Sequence, residues 1–179
     1  MRVRPARPED AAALARVYVA AWRDAYAGIL PDSMLVNMSD VRHAAAWQQE
    51  LNGRDKHSDT LVTEDRDGVF GLVTVGPARR VSRSQVEGGE IYRLYVAPER
   101  QGEGAGKTLL MASFDWLISR EVDAVIVWVL AENPSRFFYE AMGGTRLGEK
   151  TDNFAGTKVR EIAYGWTDLV TALDKLAAR

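Results

Sequence analysis

Three glycines in five residues, within Gln101-Gly102-Glu103-Gly104-Ala105-Gly106-Lys107, separate a segment that alternates apolar and polar side chains from one whose apolar residues recur at helical spacing. A strand that enters a helix through such a turn leaves the first helical N–H groups without partners, beside the positive end of the helix dipole. Glycine has no Cβ, so Gly102, Gly104 and Gly106 can all take positive φ and let a ligand approach the backbone closely. The turn reads as a cradle for an anion, and a phosphate-bearing ligand is the expectation that follows.

Spacing separates the phosphate motifs that contain such glycines. A P-loop needs glycine five residues before Gly106-Lys107-Thr108, and Gln101 stands there. A dinucleotide fingerprint needs glycine at the sixth place from Gly102 or Gly104, where the chain has Lys107 and Leu109. The pattern that fits is Q/R-x-x-G-x-G/A, met by Gln101, Gly104 and Gly106 directly after Ile91-Tyr92-Arg93-Leu94-Tyr95-Val96-Ala97-Pro98. It resembles the acyl-CoA-binding motif of the GNAT N-acetyltransferase superfamily. Taken alone, the same glycines also suit a tight strand-to-helix turn that binds nothing. A second match lies downstream, where Val125-Ile126-Val127-Trp128-Val129-Leu130, Asn133 and Phe138-Tyr139-Glu140-Ala141-Met142-Gly143-Gly144 are similar to the superfamily's strand, Asn, helix and F-Y-E-x-x-G-[FG] sequence.

The resemblance covers nearly the whole chain and implies one mixed α/β N-acetyltransferase domain over residues 1–179. Its sheet would be twisted and mostly antiparallel, splayed between the fourth and fifth strands, with helices on both faces. The implied cofactor is acetyl-CoA. Leu94, Tyr95 and Val96 would hold its pantetheine arm through backbone groups, Gln101, Gly102, Glu103, Gly104, Ala105, Gly106 and Lys107 would hold its pyrophosphate, and Asn133 would reach the arm from the other side. The implied reaction is acetyl transfer to an amine by direct attack. Such a reaction must deprotonate the amine, stabilise an oxyanion and protonate a thiolate. Tyr139 falls where the superfamily places the general acid, and Glu90 lies where some members carry a general base. The Val96 N–H is the expected oxyanion donor. Asn133 and Tyr139 are six residues apart where many members have seven, which puts the Asn133 contact in question.

Trp22, Tyr26 and Tyr92, with Ile29, Leu30 and Phe154, can form an aromatic wall that holds a small-molecule amine by its apolar stem. Trp22, Arg23, Tyr26, Gly28, Leu30 and Pro31 resemble a subset of uncharacterised bacterial acetyltransferases. Trp22 and Tyr26, four apart, also suit one packed helical face. An open groove would instead accept protein N-termini or lysines, and a non-catalytic acyl-CoA-binding module would keep the cradle alone. The absence of cysteine excludes disulfides and an acyl-cysteine intermediate. A net charge of −2 without a basic cluster gives nucleic-acid binding no electrostatic support. No apolar run approaches the ~20 residues of a membrane span, so a cytoplasmic protein is the default. A homodimer through the late strands is implied by the resemblance alone. His43 and His57 read as surface residues without metal-ligand spacing, and Arg79-Arg80 to Arg83 reads as a solvated cluster.

Periodicity supplies the remaining elements: a strand at Met1 to Pro5, a helix from Pro8 to Tyr26, helices near Asp32 to Met38 and Asp40 to Leu51, and a hairpin of Thr60 to Glu64 with Val69 to Val75. Strands at Glu90 to Val96 and Ala124 to Leu130 flank a helix from Lys107 to Arg120. A short helix, strands at Thr145 to Lys150 and Val159 to Trp166, and a last helix from Thr167 to Ala178 complete the reading.

Overall fold

The computed structural model describes residues 1–53, 57–79, 88–154 and 156–178. Its strands are β1 (Arg2–Pro5), β2 (Asp59–Asp65), β3 (Gly68–Pro77), β4 (Gly89–Val96), β5 (Val125–Leu130), β6 (Thr145–Phe154) and β7 (Thr157–Trp166). The helices are α1 (Ala11–Ala25), α2 (Asp32–Val36), α3 (Asp40–Asn52), α4 (Ala105–Ile118), α5 (Arg136–Ala141) and α6 (Leu169–Ala177). The strands form a single sheet in the order β1-β2-β3-β4-β5-β7-β6. Neighbours are antiparallel except β4 and β5, which α4 connects as a crossover and so makes parallel.

That parallel seam is short. It holds three register pairs, Gly89↔Val125, Glu90↔Ile126 and Ile91↔Val127, while β4 continues to Val96 and β5 to Leu130. Just past the last pair β4 carries one residue more than β3, because Thr74 faces Arg93 and Val75 faces Ile91. A bulge sharpens local twist, and here it turns β4 away from β5. The expected splay between the fourth and fifth strands is present, and helices cover both faces, α1 with α3 on one and α4 with α6 on the other.

The core lies chiefly under α4, whose Leu109, Leu110, Phe114 and Leu117 are fully buried. Phe114 meets the Trp166 ring at 5.2 Å and 61°. Helix α4 begins at Ala105, two residues before its apolar repeat, because Gly104 caps it with φ of 83°. β6 extends to Phe154, four residues beyond its expected end. Nearly every residue of β6 is exposed, so the strand has no buried face to write an apolar alternation into the sequence. Residues 80–87 of the polar loop, and with them Arg80 and Arg83, lie outside the described residues. Among the described residues no helix is long and apolar enough to cross a membrane.

At the sheet edge Arg4 bonds Asp10 at 2.7 and 2.9 Å and Glu64 at 2.7 Å, tying β1 to β2 and to the turn before α1. Hydrogen bonds from Arg4 hold both carboxyl groups below the usual carboxylate range. Depressed native values stabilise the fold above the unfolded pKa of about 4, and that contribution is lost as pH falls through the native values. Denaturant unfolding from pH 6 down to 3 is expected to show stability falling below about pH 4. In Arg4→Met that acid limb is expected to flatten, and an unchanged limb would assign the pH dependence to other groups.

Candidate active site

A cavity of about 890 Å³ occupies the gap between β4 and β5. Tyr92 to Val96 form one wall and Val127 to Val129 the other, the glycine turn and Lys107 close one end, and Tyr26, Asn133, Phe138 and Tyr139 close in from the helices.

Backbone polarity in this wall follows from register. The Ala97 N–H donates to the Phe70 carbonyl at 2.8 Å, and Gly71↔Val96, Leu72↔Tyr95 and Val73↔Leu94 continue the ladder. Bonded and non-bonded pairs alternate in an antiparallel ladder, so Leu94 and Val96 turn their backbone groups away from β3 toward the gap. The Val96 carbonyl accepts a hydrogen bond from Gln101 Nε2 at 3.3 Å, and the Val96 N–H faces the cavity. Tyr95 spends its backbone groups on β3. Its side chain, and not the backbone contact expected of it, is its contribution to the site.

In the cradle, Gly102 and Gly104 have φ of 79° and 83°, values that side chains resist. Gly106 departs from the expectation of positive φ at all three glycines. It sits in the first turn of α4, where a Cβ would lie 3.3 Å from the Phe138 ring, so its role is close packing. Gln101, Gly102, Gly104, Ala105, Gly106 and Lys107 all line the cavity, whereas Glu103 does not. The Glu103 carboxylate accepts from Arg100 Nε at 3.0 and 3.1 Å, and Arg100 also bonds Asp65 at 2.6 Å. That arginine draws the negative side chain off the anion site and leaves only the Glu103 backbone in the turn.

Asn133 is 4% exposed, and its Oδ1 accepts the Ser135 N–H at 2.8 Å, shaping the turn into α5. That turn and the short α5 put Asn133 and Tyr139 on the same cavity despite the six-residue spacing. Tyr139 is 6% exposed, stacked on Tyr164 at 6.3 Å and edge-on to Trp166 at 6.5 Å. Burial pushes its phenol pKa up, which keeps the proton in place at neutral pH.

Glu90 is 1% exposed and does not line the cavity. It accepts the Arg79 N–H at 2.9 Å and Arg79 Nε at 3.1 Å, and pairs with the same guanidinium through Nη2. Arg79 also stacks over Tyr92 at 4.9 Å, while the Tyr92 hydroxyl donates to the Pro77 carbonyl. Tyr92 and Tyr26 line the cavity, but Trp22 stands behind them. Trp22 packs on Tyr26 at 4.7 Å and on Phe154 at 5.7 Å, a buttress to the wall instead of its surface.

Sequence reasoning missed Trp128, which lines the cavity from β5 with Lys150 Nζ 4.5 Å over its ring and Glu161 3.0 Å from Lys150. The signal was available in parity, since Trp128 points opposite to Val127 and Val129, but an all-apolar run hides it. His43 is half-buried 5.0 Å from the Tyr18 ring, not on the surface, and burial lowers its pKa. Among the described residues no group of His, Asp and Glu is placed to hold a metal ion.

Residues 10–144 match the acetyltransferase (GNAT) family model. The chain is 35% identical over 181 residues to an uncharacterised N-acetyltransferase, YuaI, of Bacillus subtilis, covering 99% of this chain and 98% of that one. It superposes on the ribosomal-protein-alanine N-acetyltransferase of Brucella melitensis with a TM-score of 0.68 at 23% identity, covering 93% and 99% of the two chains. A putative acetyltransferase of Salmonella typhimurium, yncA, solved with its cofactor acetyl-CoA, gives a TM-score of 0.67 at 20% identity over 93% of each chain.

Proposed function

This chain belongs to the GNAT acetyltransferase family, and we propose that the acceptor in its acetyl-CoA-dependent N-acetyl transfer is the primary amine of a small molecule. The supporting observation is the closed acceptor end. Leu30, Leu130 and Val159 form a buried cluster there, with Trp22, Tyr26, Ile29 and Met34 packed against it, and Phe154 reaches Trp22 from the β6–β7 hairpin. An extended peptide needs an open groove, whereas an aromatic recess suits a compact amine.

In this reading the backbone N–H groups from Gln101 to Lys107 hold the pyrophosphate at the start of α4. Leu94 and Val96 bond the arm from one side of the splay and Asn133 from the other. Bound acetyl-CoA supplies an activated acetyl thioester. The Val96 N–H faces the position where charge develops on the carbonyl oxygen, and Tyr139 gives its proton to sulfur. Glu90 does not carry the base role forward, because Arg79 already occupies its carboxylate. Residues 1–179 form one catalytic domain in this reading, cytoplasmic in location.

One observation favours a peptide acceptor instead: Asp24 and Glu132 are exposed on the cavity lining, where they would attract a basic segment. Thermal unfolding with acetyl-CoA, CoA and ATP is the first test. Ligand at about 100 times its Kd is expected to add about 2.7 kcal/mol for acetyl-CoA and CoA and nothing for ATP. Thiol release with small amines and with peptides then separates the acceptors. Binding without release from either set would leave a non-catalytic acyl-CoA module.

A further inference from the structure

With Glu90 held by Arg79, the polar groups that face the splay are hydroxyls and an amide. Tyr95 leaves β4 on the face that carries α1, its ring edge-on to Tyr18 at 5.4 Å. Tyr26 follows the last turn of α1 and is braced by Trp22. Tyr95 and Asn133 both stand within side-chain hydrogen-bonding reach of Tyr26. Tyr139 lines the same cavity from α5, close enough to feel the charge of both phenols. Burial raises the pKa of Tyr26 and Tyr95, so each carries its proton at neutral pH and can donate and accept at once.

We propose that Tyr26 and Tyr95 are catalytic residues, a hydroxyl pair that takes the proton of the attacking amine and relays one through Tyr139 to the leaving sulfur. The proposal rests on the acetyl-transfer reading. The N–C bond forms as the C–S bond breaks. The nitrogen, cationic after attack, gives a proton to the Tyr26 oxygen, the Tyr26 proton moves to Tyr95, the Tyr95 proton to Tyr139, and the Tyr139 proton to sulfur. One proton passes from nitrogen to sulfur and every phenol ends as it began, so no outside acid or base is consumed. The amine enters as its free base, having lost its first proton to water.

The charged groups around the pair do not compete for this role. Arg93 is bound to Glu50 and Glu161 to Lys150, while Asp24 and Glu132 are exposed. The phenols of Tyr18 and Tyr92 complete the titratable set facing it, and the Tyr92 hydroxyl is bound to Pro77.

The test uses ethylamine, 2-methoxyethylamine and 2,2-difluoroethylamine, whose basicities fall in steps, with the intact protein and its Tyr26→Phe, Tyr95→Phe and double variants. The expected kcat/KM rises with pH to a break that follows each amine's own basicity. Each single variant is expected to lose about 10- to 100-fold in kcat with the acetyl-CoA thermal shift retained, and the double variant to be no slower than the slower single. A break fixed at one pH for all amines and abolished by Glu90→Gln would establish a carboxylate base and overturn the relay. Phe variants with unchanged kcat, or with their thermal shift lost, would overturn it as well. If acetyl-CoA stabilises the protein but no amine releases thiol, the acetyl-transfer reading fails first and takes the relay with it.

Discussion

Tyr139→Phe is expected to lower kcat by about two to three orders of magnitude, the usual share of a positioned general acid, while the Kd for acetyl-CoA stays as it was. At 1.36 kcal/mol per tenfold that is about 3–4 kcal/mol of barrier. The ring is retained, so the stack on Tyr164 and the edge contact with Trp166 survive. Only the phenolic proton is removed from a buried position facing the cavity. A thiolate left without a donor must wait for water, and the thermal shift with CoA shows that the site is otherwise intact. Turnover within about threefold of the parent would mean that sulfur takes its proton elsewhere.

The largest stability loss is expected from Phe114→Ala, at about 3–5 kcal/mol. Phe114 is fully buried between α4 and the sheet and meets Trp166, whose Nε1 donates to the Met142 carbonyl at 3.1 Å beyond α5. Removing the ring opens a cavity where helix, sheet and the α5 segment join. Against a total stability of about 5–15 kcal/mol this is a large fraction, and a fall in Tm of roughly 10 °C or more follows for a chain of this size. Phe114→Leu, which keeps most of the volume, is expected to cost less than half as much. A loss under about 1.5 kcal/mol in the alanine variant would show that the core collapses to fill the space.

Much of the architecture was legible because periodicity and turn chemistry wrote it locally. The β2–β3 hairpin, the glycine turn into α4 and the apolar β5 are patterns within a dozen residues. Features set by long-range geometry were not. The length of β6 escaped because the strand buries almost nothing. The Arg79 grip on Glu90 crosses a loop, and no spacing rule signals that an arginine will return to a strand residue. Tyr95 was placed by its backbone because its motif suggested so, whereas the ladder register shows that its neighbours present theirs. Glu103 looked like part of the cradle until Arg100 was seen to hold its side chain. In each case the residue type was right and a partner distant in sequence decided its role.

The three-pair seam between β4 and β5 makes the sheet two half-sheets, one of four strands and one of three. Few rungs join them directly, so the halves are free to open against each other at the splay, and a molecule bonded to both edges serves as the missing rungs. Amide hydrogen exchange would read this as cofactor-dependent protection running across the seam, strongest in Leu94, Val96 and the far end of β5. Occupancy of the cofactor would then be felt by the acceptor recess, whose walls belong to different halves: Tyr26 and Tyr92 stand with the first, Trp128 with the second. Ordered binding, cofactor before amine, is what such a divided sheet would impose on the kinetics.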